Sequence, residues 1–411
     1  MTDRFDAIII GCGIGGGALA TVLARAGRSV LALERATVYR DRVRGEWIAP
    51  WGVAELRTLG LYDDFIAAGA HHLVRHISYG DDATPEQAEA AALQLGVLPG
   101  IPGPLTIGHP RSCELLRDLA TAAGACVLSG ASDITITAGA SPSVTYTHGG
   151  RQQRATCRII VGADGRGSLV RQQLGIELHQ DPQHHFFSGL LVDGAHGFPD
   201  DTQAIGAEGD VHFLVFPQGD GRARLYLGYP SEQPQRLSGP DGPRVFLEAF
   251  RLQSMPLSEH IANATPAGPC HSYPNQDGWT ETPYAPGAVL IGDAAGYNDP
   301  IIGQGLSITY RDVRMVRDAL IADDDWSQPE IFAPYTEERR ERMRRLRFSA
   351  MVQAELLNEF GPEAQARRKR ARERQAADPT LLLSLAATIM GPEVMPEMAF
   401  EDALRDRLFA P

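Results

Sequence analysis

Short apolar runs recur along the chain and are separated by glycine-rich turns. Ala7 to Ile10 and Val30 to Leu33 are two of these runs, and each has the length of a strand buried in a parallel sheet. Between them, the apolar residues from Leu19 to Ala26 follow helical spacing and Gly27 ends the pattern. The pattern therefore predicts a β-α-β unit at the start of the chain.

Two later segments repeat the change from an apolar strand to a glycine turn and then a helix. Ile159 to Val161 leads into Gly162, and Ala288 to Ile291 leads into Gly292. Because the carboxyl ends of parallel strands meet at one edge of a sheet, we expect all three turns to lie together, where ligands bind in such folds.

The middle of the chain changes character. Phe186 to Val192, Val211 to Phe216 and Ala223 to Tyr229 read as strands separated by turns, which predicts an antiparallel sheet. Residues 244–263 read as a helix, and the inserted residues 71–104 are expected to join this half. Towards the C-terminus, an apolar stripe predicts a long helix from Pro334 to Glu359. The fold class expected is α/β: a Rossmann-like domain, a discontinuous second domain on a mixed or antiparallel sheet, and C-terminal helices.

Composition narrows the function. The chain has 411 residues and a net charge of −13, which argues against a nucleic-acid partner. Five scattered cysteines form no CxxC pair, so a reduced, cytoplasmic setting is expected. The first strand begins too early for a signal peptide, and the apolar run Leu381 to Met390 is too short to span a membrane. Adjacent histidines, as in His184-His185, make poor co-ligands, and no metal is expected.

The first turn carries a dinucleotide-binding pattern. Gly11, Gly13 and Gly16 form GxGxxG, in which the glycines allow a tight turn, close approach of a pyrophosphate and close helix packing. The helix N-terminus then offers unpaired N–H groups to the phosphates. Glu34, at the end of the second strand, can accept hydrogen bonds from an adenosine ribose. The pattern alone leaves NAD, NADP and FAD open.

The three turns together resemble a known family. GCGIGG with Glu34, then GADGRGSLVR at 162–171, then GDAAGYNDPIIGQG at 292–305 occur in this order. In this the chain is similar to the single-component FAD-dependent monooxygenases of the para-hydroxybenzoate hydroxylase type, over about residues 1–330. The resemblance implies bound FAD, NAD(P)H as electron donor, and hydroxylation or epoxidation of an aromatic or other electron-rich small molecule through a flavin C4a-hydroperoxide.

The resemblance also implies roles for individual residues. Glu34 would bind the adenosine ribose, Arg35 would lie near the adenine, and Asp293 would bind the ribityl chain. Pro300 would lie by the flavin ring, with the backbone from Gly303 to Leu306 at its pyrimidine edge. Cofactor binding is thus expected of Gly11, Gly13, Ile14, Gly15, Gly16, Glu34, Arg35, Arg44, Gly45, Arg111, Asp164, Gly165, Gly292, Asp293, Pro300, Gly303, Gln304, Gly305 and Leu306.

The resemblance also suggests a division of the chain. Residues 1–70, 105–178 and 285–330 would form the FAD-binding domain, residues 71–104 and 179–284 the substrate domain, and residues 331–411 a C-terminal helical region. Phe213, Phe216, Tyr226 and Tyr229 are candidate substrate-pocket residues, although sheet packing also explains strand aromatics. The expected partner is a small molecule, with no nucleic acid and no membrane, and the protein is expected to be a monomer or homodimer.

Three alternatives share this fold. A flavin-dependent reductase or oxidase would place no oxygen in its product, and a non-catalytic flavoprotein would show no substrate-dependent flavin reduction. A halogenase is disfavoured because Lys369 is the only lysine in the chain, whereas that class uses a catalytic lysine. No catalytic base can be assigned: Tyr226 and His212 are guesses, and packing explains both as well.

Overall fold

The protein is described here by a computed structural model that covers residues 3–43 and 45–410. Its cofactor half is built on one mainly parallel sheet, which we call the parallel sheet. In spatial order its strands are Tyr284–Ala285, Ala288–Leu290, Ile159–Gly162, Ala7–Ile10, Val30–Glu34 and Cys126–Ser129. The central strands are fully buried, because helices cover one face of the sheet and the strands Ser143–His148 and Arg151–Thr156 pack against the other. The predicted parallel strands in the first, second and third glycine-turn segments are confirmed, and they lie in one sheet.

The second half is built on a sheet that we call the large sheet. Its strands run in the order Thr265–Pro266, His185–Asp193, Arg222–Pro230, Val211–Gly219, Thr202–Glu208, Arg75–Gly80 and Leu93–Gln94, with His271–Asn275 paired beside His185–Asp193. Most pairs are antiparallel, but Thr202–Glu208 runs parallel to Arg75–Gly80. The inserted residues 71–104 therefore supply two strands of the large sheet.

The described residues also form three smaller sheets. A four-stranded sheet contains Asp3–Arg4, Arg151–Thr156, Ser143–His148 and Ser132–Thr137. Two short sheets contain His179–Gln180, Gly278–Trp279 and Gly296–Tyr297, and Trp47–Ile48, Leu105–Thr106 and His71–His72. The second of these carries Trp47 from the cofactor half towards the large sheet.

The α-helices of the described chain are Ile14–Arg25, Pro50–Thr58, Tyr62–Ala67, Pro85–Ala90, His109–Ala122, Leu169–Gln173, Gly242–Glu248, Ser258–Ala262, Gly305–Ala322, Ala333–Leu357, Pro362–Ala377, Leu383–Met390 and Asp402–Phe409. The expected long C-terminal helix is present as Ala333–Leu357. The single helix predicted over 244–263 was wrong, because the chain there forms two short helices. Pro256 lies between them, and a proline interrupts helical hydrogen bonding.

No helix within residues 3–43 and 45–410 combines the length and apolarity that a bilayer crossing requires.

Candidate active site

The first glycine turn is shaped by contacts that leave no room for side chains at two positions. Gly11 has a φ of +93°, and a Cβ there would lie 2.5 Å from the Ala163 carbonyl oxygen. A Cβ at Gly16 would lie 1.9 Å from the Gly11 carbonyl oxygen. At Gly13 the nearest atom would be the Cys113 sulfur at 4.0 Å, and Gly13 lines a large cavity. Gly11 and Gly16 therefore set the turn, whereas Gly13 leaves the backbone open to a ligand.

Glu34 is held at the end of its strand by two backbone donors. One carboxylate oxygen accepts the Cys12 N–H at 2.7 Å and the other accepts the Ala36 N–H at 2.7 Å. Each oxygen keeps a further lone pair, and the side chain lines the cavity. The carboxylate is thus fixed in a position from which it can accept hydroxyl groups of a ribose. Arg35 is exposed and also lines the cavity.

At the second turn, Asp164 serves the protein itself. Its carboxylate accepts hydrogen bonds from the Ser168 hydroxyl at 2.5 Å and from the Leu169 N–H at 2.7 Å. These bonds cap the helix Leu169–Gln173, in the way that an acidic side chain satisfies free N–H groups at a helix start. Asp164 and Gly165 still line the cavity, so their predicted cofactor contact stays a prediction.

Arg166 connects the second turn to the third and was missed by the sequence reasoning. Its Nε donates to the Asp293 carboxylate at 3.3 Å, and its guanidinium lies 4.4 Å from the centre of the Tyr297 ring. Asp293 and Arg166 both line the cavity. The position of Arg166 between Gly165 and Gly167 was the available signal, because a charged residue inside a ligand-binding turn is placed close to the ligand.

The third turn is supported from beneath by a buried ion cluster. The Gly292 N–H donates to the carboxylate of Asp312 at 2.8 Å. Asp312 is fully buried and is paired with Arg339 at 3.1 Å and Arg342 at 2.7 Å. Burial alone would raise the pKa of Asp312, but the two guanidinium groups lower it below its ordinary value. No local pattern in the sequence indicated this cluster.

The segment after the third turn presents backbone to the cavity. Gly303 adopts a φ of +66°, and a Cβ there would lie 3.1 Å from the Trp47 ring. The helix Gly305–Ala322 begins immediately afterwards, and Pro300, Gly305 and Leu306 line the cavity. A Cβ at Gly305 would meet no atom within 4 Å. The positive end of this helix therefore faces open space that suits an electron-rich ring edge.

Gln304 holds this segment in place with its side chain. Its amide oxygen accepts the Trp51 indole N–H at 2.8 Å, and its amide nitrogen donates to the Thr388 carbonyl at 3.1 Å. The glutamine is fully buried. Of the residues predicted to bind cofactor, Gln304 therefore has its side chain directed at the protein, and only its backbone is left for a ligand.

Several other predicted residues can be placed. Ile14, Gly15 and Gly45 line the cavity, as do Gly11, Gly292 and Gly303, whereas Gly16 does not. Arg111 is exposed and does not line the cavity, whereas His109 and Cys113 of the same helix do. The structure thus does not bring Arg111 to the site. Arg44 lies outside the described residues.

The four candidate aromatic residues divide between two faces of the large sheet. Phe216 and Tyr226 line the cavity, with ring centres 6.1 Å apart. Phe213 and Tyr229 lie on the opposite face and pack in a separate core that includes Phe246 and Phe250. The structure does not place these two at a substrate pocket. Successive residues of a strand point to opposite faces of the sheet, so Phe213 and Phe216, which are three positions apart, cannot lie on the same face.

Neither guessed base is suited to that role. Burial, together with the neighbouring Tyr273, raises the pKa of Tyr226 well above its ordinary value, so its hydroxyl stays protonated. His212 is fully buried and does not line the cavity. Its Nδ1 lies 3.2 Å from the Asn358 side-chain oxygen, and burial lowers its pKa to about 3.

A single cavity of about 1690 Å³ joins the glycine turns, with Glu34, Arg166 and Asp293, to Phe216 and Tyr226 of the large sheet. One part runs along the three glycine turns, and the other lies between the large sheet and the C-terminal helices. Its second part is lined by apolar side chains, including Ile205, Leu214, Phe216, Leu385 and Ile389. The open face of Gly13, the fixed Glu34 carboxylate and the free helix start at Gly305 fit a long dinucleotide such as FAD.

Next to residues 300–306 lies a pair of buried carboxyl groups, those of Asp277 and Asp299. The Asp299 N–H donates to Asp277 at 2.9 Å, and Asp299 accepts the Ile301 N–H at 2.9 Å. Burial, and then the charge of Asp277, raise the pKa of Asp299 to about 8. The folded protein therefore keeps a proton on Asp299 that the unfolded chain releases.

This proton predicts a pH dependence of stability. A raised pKa stabilises the fold at low pH, and that stabilisation is lost as pH rises towards about 8. Between pH 6.5 and 8 we expect the wild type to lose about 1.6 kcal/mol through Asp299, because the slope falls from about 1.4 kcal/mol per unit to about half of that at the pKa. Asp299→Asn keeps an acceptor for Ile301 and should remove this slope in urea unfolding.

In that window the neighbouring His185, whose pKa burial lowers to about 3, is neutral in the folded state. Asp193→Asn is the control. Arg222 lowers the pKa of Asp193, so this carboxylate does not titrate between pH 6.5 and 8, and its replacement should leave the slope of stability against pH unchanged. An unchanged slope in Asp299→Asn would contradict the protonation of Asp299.

The fold and the cavity define a class: a flavoprotein in which one dinucleotide site opens directly into an apolar chamber. The chain belongs to the FAD binding domain family FAD_binding_3, whose family model matches residues 4–349. Among curated proteins it is 28% identical over 331 residues to squalene epoxidase erg1 of Aspergillus fumigatus, covering 77% of this chain and 66% of that protein. It is 25% identical to a menaquinone reductase of Mycobacterium tuberculosis, covering 78% of each.

Solved structures share the fold. PqsL of Pseudomonas aeruginosa, described as a probable FAD-dependent monooxygenase, superposes with a TM-score of 0.73 at 21% identity, over 89% of this chain and 99% of that one. The p-nitrophenol 4-monooxygenase PnpA of Pseudomonas putida gives 0.75 at 16% identity, over 99% of each chain. At these sequence identities, the structural similarity establishes the shared fold alone. The chain spans 54–66% of the length of the squalene epoxidases and monooxygenases that it matches first.

Proposed function

We propose that the protein is an FAD-dependent monooxygenase that uses NAD(P)H and O₂ to hydroxylate or epoxidise an apolar, electron-rich small molecule. The observation that carries this proposal is the continuity of the cavity, which joins the dinucleotide site to the apolar chamber without an intervening wall. When bound, FAD would supply the two-electron chemistry that links NAD(P)H to O₂.

The residues of the chain would hold and shield the cofactor. We assign Glu34 to the adenosine ribose, the Gly13 backbone to the pyrophosphate and Asp293, with Arg166, to the chain that joins pyrophosphate and ring. The N-terminus of the helix Gly305–Ala322 would stabilise negative charge on the ring. These assignments rest on the distances given above and on the family.

The chamber would exclude water and position the substrate. Trp47, Leu214 and Phe216 from one side and Leu385 and Ile389 from the other form an apolar enclosure. Such an enclosure protects reactive oxygen chemistry from proton loss and hydrolysis. We further propose the domain division given by residues 1–70, 105–178 and 285–330, residues 71–104 and 179–284, and residues 331–411, which the separate sheets support.

We also propose a cytoplasmic protein that is a monomer or homodimer. The acidic composition and the scattered cysteines support the location.

The stoichiometry of turnover tests the proposed reaction. Purified holoenzyme is given NADH or NADPH with a panel of phenols, quinones and polyenes, under ¹⁸O₂. A monooxygenase consumes NAD(P)H and O₂ in equal amounts and places one ¹⁸O atom in the product. Turnover that continues without O₂ and adds only hydrogen to the substrate would overturn the proposal.

That second outcome defines the other candidate function. A flavin-dependent reductase is favoured by one observation, the similarity to relatives named menaquinone reductase and digeranylgeranylglycerophospholipid reductase at 25–26% identity. Anaerobic single-turnover measurements separate the two, because a reductase transfers hydrogen to its substrate without O₂.

A further inference from the structure

A line of hydrogen-bonded side chains crosses the wall of the chamber, and we call it the wall chain. It consists of Trp47, Gln203, His76 and Ser78, all of which line the cavity. The Trp47 indole nitrogen lies 2.9 Å from the Gln203 amide oxygen. The Gln203 amide nitrogen lies 3.2 Å from His76 Nδ1, and His76 Nε2 lies 2.8 Å from the Ser78 hydroxyl. None of these four residues belongs to the glycine turns.

The hydrogen bonds of the wall chain all run in one direction, with each residue donating to the next. An indole N–H can only donate, so the Gln203 oxygen must face Trp47 and its NH₂ group must face His76. His76 Nδ1 therefore accepts. Burial lowers the pKa of His76 to about 4, so the ring is neutral near pH 7 and carries its proton on Nε2. The assignment makes Nε2 the donor to Ser78.

The last member of the wall chain has a proton to give. Because Ser78 accepts from His76, its own hydroxyl proton is free to point elsewhere. Within residues 3–43 and 45–410, no hydrogen bond donated by the Ser78 hydroxyl is formed. Ser78 is exposed and borders the cavity. Chains of hydrogen bonds polarise one another, so this O–H is a stronger donor than an isolated serine hydroxyl.

The surroundings of Ser78 favour an uncharged acceptor. The arginines that line this end of the cavity are already paired: Arg368 with Asp81 at 3.0 Å, and Arg372 with Asp82 at 2.7 Å. A carboxylate would enter an apolar chamber without a free counter-charge, which is costly. A carbonyl oxygen needs only one donor, and Ser78 provides it.

We propose that Ser78 donates a hydrogen bond to a carbonyl oxygen of the substrate, so that the substrate is an apolar ketone or quinone-like compound rather than a hydrocarbon. This inference rests on the proposed function for the meaning of "substrate", but the binding itself does not depend on turnover. The wall chain sets the specificity of the chamber. Ser78 contacts the ligand, whereas Trp47, Gln203 and His76 orient the Ser78 hydroxyl.

Binding to the oxidised holoenzyme, without NAD(P)H, tests the inference. The probes are α-tetralone, an apolar ketone, and tetralin, its parent hydrocarbon, followed through tryptophan fluorescence and the visible flavin spectrum. We expect wild type to bind the ketone more tightly. Ser78→Ala should weaken α-tetralone binding about three- to tenfold, the worth of one neutral hydrogen bond, and should leave tetralin binding unchanged.

Two further variants separate recognition from simple packing. Ser78→Thr keeps the hydroxyl and should restore most of the ketone affinity. Gln203→Leu breaks the wall chain while keeping Ser78, so it should weaken ketone binding by a smaller factor. A ketone that binds no more tightly than the hydrocarbon, or a Ser78→Ala variant that weakens both probes equally, would overturn the inference. Either result leaves the ¹⁸O₂ measurement, and hence the proposed reaction, unaffected.

Discussion

Replacing Asp312 with alanine is expected to lower the free energy of unfolding by about 3–5 kcal/mol, because it leaves the buried guanidinium of Arg339 without a carboxylate partner and that of Arg342 with Glu338 alone. Arg339 and Arg342 are 2% and 3% exposed. Both arginines also donate to backbone carbonyls around the site, Arg339 to Gly296 at 2.8 Å and Arg342 to Ile308 at 3.2 Å. The loss would therefore reach the third turn as well as the core.

The same substitution should reduce FAD content. The Asp312 carboxylate accepts the Gly292 N–H, next to Asp293, so its loss frees the turn that presents Asp293 to the cavity. Urea unfolding and the ratio of flavin to protein absorbance measure the two effects. Asp312→Asn keeps an acceptor for Gly292 but loses the charge, and it should fall between wild type and Asp312→Ala.

The control lies on the same helix. Asp318 is about half exposed and pairs with Arg317 at 2.5 Å, and exposed pairs of this kind contribute about 0–1 kcal/mol. Asp318→Ala should therefore change stability by less than about 1 kcal/mol and leave FAD content unchanged. Equal effects of Asp312→Ala and Asp318→Ala would show that the buried cluster does not hold the turn.

The contrast between Asp312 and Asp318 shows why the buried ion cluster could not be predicted from the sequence. Both stand in the same helix among arginines, and both read as ordinary surface charges. Arg339 and Arg342 lie about thirty positions further along the chain, so only the packing of two helices brings them onto Asp312. By contrast, the positive φ of Gly11 and the close approach of Gly16 to the Gly11 carbonyl oxygen are local to one turn, and for that reason the sequence alone predicted the turn.

The faces of the large sheet show a second limit. Strand positions were predictable from apolar runs, and alternation already implied that Phe213 and Phe216 point to opposite sides. Which side borders a ligand depends on what packs against the sheet. Here Phe246 and Phe250 cover one face, whereas the other faces the C-terminal helices across the cavity. The choice of face was thus a property of the tertiary structure.

The wall chain shows a third limit. His76 and Ser78 lie two positions apart on an inserted segment that the sequence assigned only to the second half of the molecule. Gln203 pairs with His76 across neighbouring parallel strands, and Trp47 reaches it from a different sheet. A sequence pattern identifies a strand, but it does not identify which side chains meet across strands so distant in the chain.

Gly13→Ala is expected to weaken FAD binding about 10- to 100-fold while leaving the fold intact. A methyl group at Gly13 would project into the cavity with its nearest neighbour 4.0 Å away, and the backbone at this position has a φ of −78°. The methyl group therefore clashes with no neighbouring atom, but it keeps a pyrophosphate from the N–H groups at the helix start. Loss of one hydrogen bond to a charged group costs about 1.5–3 kcal/mol, which corresponds to this range.

The matched control is Gly108→Ala. Gly108 also precedes a helix, has a φ of −57°, and would place a methyl group with no atom within 4 Å, but it does not line the cavity. Both variants should melt near the apoprotein temperature of wild type, and only Gly13→Ala should require more FAD for reconstitution in a fluorescence titration. Gly16→Ala differs from both, because its Cβ would lie 1.9 Å from the Gly11 carbonyl oxygen and would disturb the turn itself. If Gly13→Ala took up FAD as readily as Gly108→Ala, the pyrophosphate would not lie at the first glycine turn, and the orientation of the cofactor in the cavity would have to be reversed.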